Sequence, residues 1–192
     1  MNSLHTILAE KFHFNNEEII EIIRLFKPIN YPKHSFLVQQ GEMSENIIYI
    51  NKGLAREFFT YDEHKNEDNT IQFVKEGDFY FANNSLLEIQ KSKCFTQALE
   101  PVKALVLNKE TLKEYSLKLP FINRLAFLIL RETVIRQEKR TDIYMRYRKG
   151  IDRYGLFLES FPNLSHRVSD KFIASYLQMN SSTLSRIRRQ RV

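Results

Sequence analysis

Cysteine is almost missing from this chain of 192 residues, in which Cys94 is the only one. A single cysteine excludes a disulfide within the chain and any iron–sulfur cluster held by the cysteines of one chain. Cys94 has no neighbouring cysteine or histidine at metal-ligand spacing, so we expect a buried apolar side chain there. The five histidines are scattered, and neither a metal site nor a cofactor can be identified from them.

Long apolar runs are also missing. The densest apolar stretch, residues 125–130, is far shorter than the roughly 20 residues of a membrane-spanning helix. The first residues, MNSLHTILAEKFHF, lack the basic segment followed by an apolar segment that marks a signal peptide. We therefore expect a cytoplasmic protein with no membrane partner.

Charge is distributed unevenly along the chain. Residues 131–192 contain 14 Lys and Arg against 6 Asp and Glu, a net charge of +8. Residues 1–130 contain 15 against 17, a net charge of −2. A basic surface confined to the C-terminal third is typical of a segment that binds nucleic acid.

Residues 170–189, DKFIASYLQMNSSTLSRIRR, have the pattern of two short helices joined by a tight turn. Ser169 is expected to cap the first helix, and Asn180 with Ser181 the second. The residues expected to pack inward are Ile173, Ala174, Leu177, Met179, Leu184 and Ile187. The turn position that commonly holds glycine is Gln178, where a positive φ would cost about 1 kcal/mol. The pattern predicts a helix-turn-helix, whose second helix enters the DNA major groove.

Residues 29–107 contain six short β-type runs separated by turn signals. The runs are SFLVQ, NIIYIN, LAREFFTY, NTIQFV, FTQAL and VKALVL. Three of the five glycines lie at the turns: Gly41, Gly53 and Gly77. Regular short strands predict a small barrel or jelly roll. A helical region over residues 4–27, capped by Asn15 or Asn16, precedes it.

The helical signal returns at Asn108, and a longer helix begins near Pro120 and is expected to end before Thr141 and Asp142. Apolar residues surround almost the whole helix over residues 121–130, which predicts burial against the barrel on one side and a second subunit on the other. The expected dimer interface consists of Phe121, Leu125, Leu128 and Ile129. A core helix of a single chain would satisfy the same pattern. We favour a dimer because helix-turn-helix proteins commonly read two half-sites.

The order of these elements resembles the Crp/Fnr superfamily of bacterial transcription regulators over essentially the whole chain. The barrel motif GxxxxxxxYIxxG is matched by Gly41, Tyr49, Ile50 and Gly53. The segment ASYLQMNSSTLSRIRR matches the DNA-binding end of that superfamily. The resemblance rests on the ordered combination, because the barrel motif alone is moderate evidence.

The resemblance implies an α+β protein with three parts. A double-stranded β-helix, or jelly-roll, sensor domain similar to cyclic-nucleotide-binding domains would span residues 1–118. A dimerisation helix over residues 119–141 and an all-α helix-turn-helix domain over residues 142–192 would follow. Such a protein is a homodimeric transcription regulator and not an enzyme. Its partner is double-stranded DNA at a pseudo-palindromic operator, and the resemblance allows RNA polymerase as a further partner.

Arg186 occupies the position where this superfamily often uses arginine to contact guanine, a pairing that suits its two-pronged side chain. Two positions that are often Arg-Glu are here Ser181 and Ser182, so the common operator of the superfamily is not expected. The phosphate contacts are expected from Arg167, Arg188 and Arg189. The complete set of expected DNA-binding residues is Arg167, Ser181, Ser182, Thr183, Ser185, Arg186, Arg188 and Arg189.

In nucleotide-binding members, a phosphate-binding segment has Gly-Glu near its start and an arginine near its end. Residues 77–100 keep the start as Gly-Asp but contain no arginine, and Lys91 and Lys93 do not offer the same two-pronged contact. A small effector of unknown identity is implied, and cyclic AMP is not expected. The residues that would line its pocket, or merely fill the barrel, are Gly77, Asp78, Phe79, Tyr80, Asn83 and Asn84.

Two alternatives remain open. The β-roll could be a ligand-sensing module whose helix-turn-helix serves protein contacts. A cupin-like metalloenzyme is the other, because small β-barrels also house metal sites. It would need converging ligands, whereas the histidines of the barrel region are His34 and His64, and neither has an H-x-H partner.

Overall fold

The computed structural model describes residues 3–60, 68–88 and 90–190 of the chain. They form two compact units. The first contains the described residues up to Phe59 together with Phe73–Thr133, and the second contains the described part of Thr60–Gln72 together with the residues from Val134 onwards. The predicted domain boundaries after residues 118 and 141 stay a prediction. No helix of the described segments is long and apolar enough to cross a membrane.

The first unit begins with short helical segments. They are α1 (Leu4–Thr6), one π-helical turn (Ile7–Lys11) and α2 (Asn16–Leu25). Asn15 caps α2, since its side-chain Oδ1 accepts the Glu18 N–H at 2.9 Å while Glu18 Oε2 accepts the Asn15 N–H at 3.0 Å. This reciprocal capping box satisfies two amide groups that the helix itself cannot bond. It confirms Asn15 as one of the two predicted caps.

The described residues contain eight strands, which form two four-stranded sheets. They are β1 (Lys27–Tyr31), β2 (Phe36–Val38), β3 (Asn46–Lys52), β4 (Ala55–Thr60), β5 (Asp68–Val74), β6 (Phe79–Tyr80), β7 (Phe95–Ala98) and β8 (Val102–Asn108). The strand orders are β1-β8-β3-β6 and β2-β7-β4-β5. All six predicted β-type runs are strands, and the predicted jelly-roll class is confirmed.

Two strands, β1 and β6, were not predicted. The β1 strand contains Pro28 and begins at Lys27, the last residue of the region predicted to be helical. It is an edge strand that pairs with β8, and the missing N–H of a proline is tolerated at an edge. The β6 strand has two residues, too few to show the two-residue periodicity that identifies strands in a sequence.

Alternating side chains of the first sheet enter two different cores, because successive residues of a strand point to opposite faces. One face packs against the N-terminal helices and includes Ile47, Tyr49, Phe79 and Leu107. The other face packs against the second sheet, and this inner cluster includes Ile48, Ile50, Ala55, Tyr80, Ala98 and Val106. The β-roll is therefore filled with side chains between its sheets, and helices cover the outer face of the first sheet.

The chain also forms α3 (Asn83–Leu86) between β6 and β7, and α4 (Lys109–Lys118) and α5 (Pro120–Arg146) follow the roll. The predicted start of α5 at Pro120 is confirmed, but the predicted break at Thr141 and Asp142 is wrong. The Thr141 hydroxyl donates to the Gln137 carbonyl at 3.1 Å, and Asp142 pairs with Arg146 at 3.1 Å. Both polar side chains find partners along the helix, so neither ends it.

The four residues expected at a dimer interface lie on the protomer's own core side of α5. Leu125 and Ile129 are 0% and 1% exposed, Leu128 is buried, and Phe121 packs against the same cluster. The expected assignment therefore needs correction. The exposed apolar residues of α5 include Phe127, Leu130 and Val134, with exposed fractions of 64%, 40% and 53%. We call these three residues the exposed stripe.

The second unit contains a group of short helices around an aromatic core. They are α6 (Gly150–Ser160), a 3₁₀ turn (Leu164–His166), α7 (Asp170–Tyr176) and α8 (Ser181–Gln190). The Phe157 ring is central, with its centroid 5.4 Å from that of Phe161 and 5.9 Å from that of Tyr176. These contacts join α6 to α7.

The turn after β3 makes a specific prediction. Gly53 has φ +105°, and a Cβ there would lie 2.5 Å from the Pro101 carbonyl oxygen and 2.8 Å from Val102 Cα. We expect Gly53→Ala to lower the free energy of unfolding by about 3 kcal/mol, because it combines backbone strain with a clash against main chain. Gly41→Ala is the matched control, with φ +84° and open space around it, and should cost about 1 kcal/mol. Urea unfolding followed by circular dichroism measures both, and equal losses would contradict the proposed clash.

Candidate nucleic-acid interface

The first helix of the predicted motif, α7, begins after Ser169. The Ser169 carbonyl accepts the N–H groups of Phe172 and Ile173 at 3.0 and 3.2 Å, as expected at an N-cap position. Its hydroxyl makes no capping hydrogen bond, so this part of the expectation is wrong. Asp170 supplies a negative charge in the first turn, where the helix dipole favours one.

The turn after α7 is built on a left-handed residue. Gln178 has φ +50°, the conformation for which glycine is usually required. Its N–H donates to the Ser175 carbonyl at 3.1 Å, and the N–H of Met179 donates to the Ala174 carbonyl at 3.0 Å. These two bonds are the Schellman pattern that ends a helix. The structure therefore has the positive φ that we considered for Gln178 from the sequence.

The second helix, α8, is capped by Asn180. Its Oδ1 accepts the Thr183 N–H and the Ser182 hydroxyl, both at 2.8 Å. The predicted cap at Asn180 is confirmed, whereas Ser181 is the first residue of the helix. Met179 is half-buried, and the other residues predicted to pack inward are buried: Ile173, Ala174, Leu177, Leu184 and Ile187.

Close packing holds α8 against α6. A Cβ placed on Gly150 would lie 3.2 Å from Ile187 Cδ1 and 3.3 Å from Met179 Cε. Glycine therefore allows the start of α6 to approach both α8 and the turn before it. The sequence offered no signal for this contact, since it depends on three residues far apart in the chain.

The outward face of α8 forms an open groove of about 470 Å³. Its lining residues are Ser182, Thr183, Arg186, Arg189 and Gln190. Arg186 and Arg189 are exposed, and Arg189 Nη2 lies 3.5 Å from Ser185 Oγ. The groove thus combines two cations with hydroxyl and amide groups, the side chains that hydrogen-bond to phosphates and base edges. Gln190 was not among the expected residues, although it lies one helical turn beyond Arg186.

Arg188 lies on a different side of α8. Its Nη1 pairs with Asp170 Oδ1 at 2.8 Å, and its Nη2 lies 3.5 Å from the Ser165 carbonyl. The guanidinium carbon also lies 5.7 Å from the centre of the Tyr154 ring. Arg188 lies two positions after Arg186, a rotation of about 200° around the helix. These contacts tie α8 to α7, so Arg188 contributes to helix packing, and its expected phosphate contact stays a prediction.

The other expected DNA-binding residues are placed around the groove. Ser181 is exposed at the start of α8, while Ser185 is half-buried and contacts Arg189. Arg167 is half-buried in the turn before α7, where its N–H donates to the Leu164 carbonyl at 3.0 Å. It does not line the groove.

The residues expected around an effector, as far as the structure describes them, do not line one common surface. Gly77 and Asp78 form a tight turn, in which Asp78 Oδ2 accepts the Lys75 N–H at 3.0 Å. Phe79 points into the core beneath the N-terminal helices. Asn83 begins α3 and is half-buried, and the side chain of Asn84 lies outside the described set.

Tyr80, another of the expected effector residues, belongs to the inner cluster of the β-roll. Its hydroxyl donates to Glu57 Oε1 at 3.1 Å and accepts the Thr96 hydroxyl at 2.6 Å. Burial, together with the nearby Glu57 charge, raises the pKa of Tyr80 well above its usual value, so the phenol stays neutral. The sequence did not predict Glu57 and Thr96 as part of this network, because the strand pairing that joins them is not local.

Over residues 3–60, 68–88 and 90–190, no three histidine, cysteine or acidic side chains come together in a way that could hold a metal ion. His64, which entered the metalloenzyme alternative, lies outside these ranges. Cys94 is half-buried, whereas we expected a buried side chain there.

Comparison with known proteins identifies the fold. Residues 28–117 match the family model of the cyclic nucleotide-binding domain. FixK2 from Bradyrhizobium japonicum is similar with a TM-score of 0.73 and 16% identity, over 86% of this chain and 83% of that one. A mutant of CooA from Carboxydothermus hydrogenoformans gives a TM-score of 0.68 and 15% identity, over 99% and 84% of the two chains. No curated protein matches the sequence.

A third similar structure is the c-di-GMP-responsive global regulator CLP from Xanthomonas campestris. It has a TM-score of 0.67 and 14% identity, over 92% of this chain and 91% of that one. Identities this low establish the shared fold. The resemblance to the Crp/Fnr regulators inferred from the sequence is thereby confirmed for the fold, with a cyclic nucleotide-binding domain followed by a helical C-terminal segment.

The left-handed turn makes a prediction about stability. We expect Gln178→Gly to raise the free energy of unfolding by about 0.5–1 kcal/mol, because glycine adopts positive φ without strain and the glutamine side chain is exposed. Gln137→Gly is the matched control, since Gln137 is exposed inside α5 and glycine there should cost about 1 kcal/mol. Urea denaturation measures both variants, and a destabilised Gln178→Gly protein would show that the strain has been overstated.

Proposed function

We propose that this chain, which has the fold of the Crp/Fnr regulators, is a homodimeric transcription regulator that binds double-stranded DNA at a pseudo-palindromic operator. The observation that supports it most is the face of α8. Arg186, Arg189 and three polar side chains line an open groove there, while the opposite face of the same helix is buried. A cationic and polar surface on the second helix of such a motif suits the major groove.

The charge distribution supports the same partner. The net charge of +8 belongs to residues 131–192. Part of this charge is used within the protein, because Arg188 pairs with Asp170. Arg186 and Arg189 remain exposed at the groove. We therefore assign base reading to Arg186 and backbone contacts to Arg189, with the hydroxyls of Ser182 and Thr183 beside them.

A second copy of the chain is the partner that we propose for the exposed stripe of α5. Phe127, Leu130 and Val134 follow one another at intervals of three and four residues, so they share one face of the helix. Pairing of two such faces would bury them and would supply the two recognition helices that a palindrome requires.

We propose that any effector of the β-roll differs from a cyclic nucleotide. The phosphate-binding segment contains no arginine, and Lys91 and Lys93 are exposed. The polar network inside the roll contains the carboxylate of Glu57, which would repel a phosphate. The name of the matching domain family therefore describes its fold here, and the chemistry of this network favours a neutral or cationic compound.

Selection of duplexes from a random DNA pool by the purified protein, with no ligand added, tests the proposed function. Enrichment of a two-fold-symmetric sequence is the expected result. Its affinity should fall linearly with salt on logarithmic axes, because phosphate contacts release counterions. If the helix-turn-helix serves protein contacts instead, no sequence will be enriched and no such salt slope will appear.

Arg186→Ala should weaken binding to the selected operator by about 1–3 kcal/mol and relax the base preference at one position of each half-site. Arg189→Ala is the matched control: it should weaken all sequences alike and lower the salt slope by about one. Fluorescence anisotropy with the operator and with single-base variants separates the two effects. Unchanged base preference in Arg186→Ala would refute its assignment as the reading residue.

Phe127→Glu should raise the dimer dissociation constant by about 100-fold, because it would bury a charge without a partner in the interface. Leu117→Glu is the matched control, since Leu117 is 86% exposed on α4 and lies outside the exposed stripe. Sedimentation at several concentrations measures the association, and circular dichroism checks the fold. A Phe127→Glu protein that dimerises as tightly as the control would exclude the exposed stripe as the interface.

A further inference from the structure

The end of α7 leaves carbonyl groups that its Schellman turn does not satisfy. That turn uses the carbonyls of Ala174 and Ser175. The Tyr176 carbonyl accepts a hydrogen bond from the Tyr144 hydroxyl, and the Gln178 carbonyl lies 3.5 Å from Arg153 Nη2. Side chains from two other helices therefore complete the hydrogen bonding of the turn between α7 and α8.

These two side chains come from the region where the long helix ends. Tyr144 lies in the last turn of α5, and Arg153 lies in the first turn of α6. Arg153 Nη1 also donates to the carbonyls of Tyr147 and Arg148, at 3.2 and 3.1 Å. One guanidinium thus joins the segment between α5 and α6 to the turn of the helix-turn-helix.

Burial stabilises the hydrogen bond from the Tyr144 hydroxyl to the Tyr176 carbonyl. Tyr144 is half-buried, and desolvation raises the pKa of its phenol, which therefore remains a donor at neutral pH. A buried carbonyl that loses its donor is left unsatisfied, which is unfavourable, so the bond should persist in the folded protein. The Tyr176 ring packs on Phe157, so the residue that accepts the bond is itself held in place.

A third contact reaches the same turn of α7. The Ser175 hydroxyl donates to the Asp68 carbonyl at 3.0 Å and accepts the Thr70 N–H at 2.9 Å. Both partners belong to β5, which lies at the edge of its sheet among the described strands. All the residues of these contacts lie in the second unit.

We propose that Tyr144 and Arg153 are positioning residues that fix the direction of the recognition helix α8 relative to the end of α5. Because the same part of α5, in the second unit, also carries Val134 of the exposed stripe, this direction contributes to the distance and rotation between the two recognition helices of a dimer. The two residues therefore set the half-site spacing that the dimer accepts. This inference rests on the proposed function, a homodimer that reads a palindrome.

Spacing is a sensitive readout, because one base pair changes the rotation between half-sites by about 35°. A rigid dimer should lose affinity when one base pair is inserted at or removed from the centre of its operator. A dimer whose two helix-turn-helix segments can rotate freely should lose much less affinity. A purely structural role for Tyr144 would lower stability and leave the preference for one spacing unchanged.

The experiment uses Tyr144→Phe, which removes one oxygen atom and keeps the ring. We expect the wild-type protein to bind operators with one base pair added or removed about tenfold more weakly than the selected operator. For Tyr144→Phe, the same change of spacing should weaken binding by less than about threefold. Affinity for a duplex with one half-site should be the same for both proteins, because Tyr144 does not line the groove. Arg153→Met, which keeps a long side chain but not its donors, should show the same flattened spacing profile.

Tyr147→Phe is the matched control. It removes a hydroxyl from the neighbouring segment and keeps the backbone carbonyl that Arg153 binds, so its spacing profile should remain that of the wild type. If Tyr144→Phe and Arg153→Met both keep the wild-type profile, the inference is wrong while the proposed function stands. If the wild-type protein binds no palindromic duplex at any spacing, both are wrong.

Discussion

The turn between α7 and α8 is the constraint on which the proposed DNA-binding surface depends. A helix of seven residues leaves most of its end groups unbonded, so its last carbonyls need partners outside the helix. The left-handed backbone of Gln178 brings two N–H groups back to the helix, and Tyr144 and Arg153 supply further donors. Asn180 then starts α8 in a new direction. These local contacts together determine which face of α8 points outward.

The helix α5 shows what the spacing of apolar residues in a sequence can predict and what it cannot. Its apolar residues predicted burial on two sides, and the structure has one apolar side in the protomer's core and a second one exposed. Periodicity does not say which side faces the roll. Leu125 and Ile129 share a core with the N-terminal helices, whose own apolar residues lie far earlier in the chain. The proposed interface lies on the other face because packing between distant segments decides which side is covered.

Local signals predicted most of the local structure, although the Ser169 hydroxyl cap and the break at Thr141 and Asp142 were wrong, and nonlocal contacts account for much of what else was missed. The caps at Asn15 and Asn180 and the six predicted β-type runs each depend on neighbouring residues in the sequence. The inward turn of Arg188 depends on Asp170, which lies in another helix, and the network around Tyr80 depends on strand pairing. A run of arginines at the end of a helix predicts the charge of the segment. It does not predict which guanidinium packs against a neighbouring helix.

The helix-turn-helix and the β-roll of the proposed regulator each depart from the family that the chain resembles, and the residues that depart have different chemical consequences. At the proposed DNA-binding end, Arg186 keeps the side chain suited to guanine, while Ser181 and Ser182 stand where the family often has Arg-Glu. In the β-roll, the phosphate-binding segment lacks the arginine suited to a cyclic phosphate, and a neutral tyrosine hydrogen-bonded to Glu57 lies between the sheets. A carboxylate at that place disfavours an anion for the same electrostatic reason that the arginines of the groove attract one. The chemistry of the proposed ligand can therefore differ in this fold while the proposed reading surface on α8 keeps side chains that suit phosphates and bases.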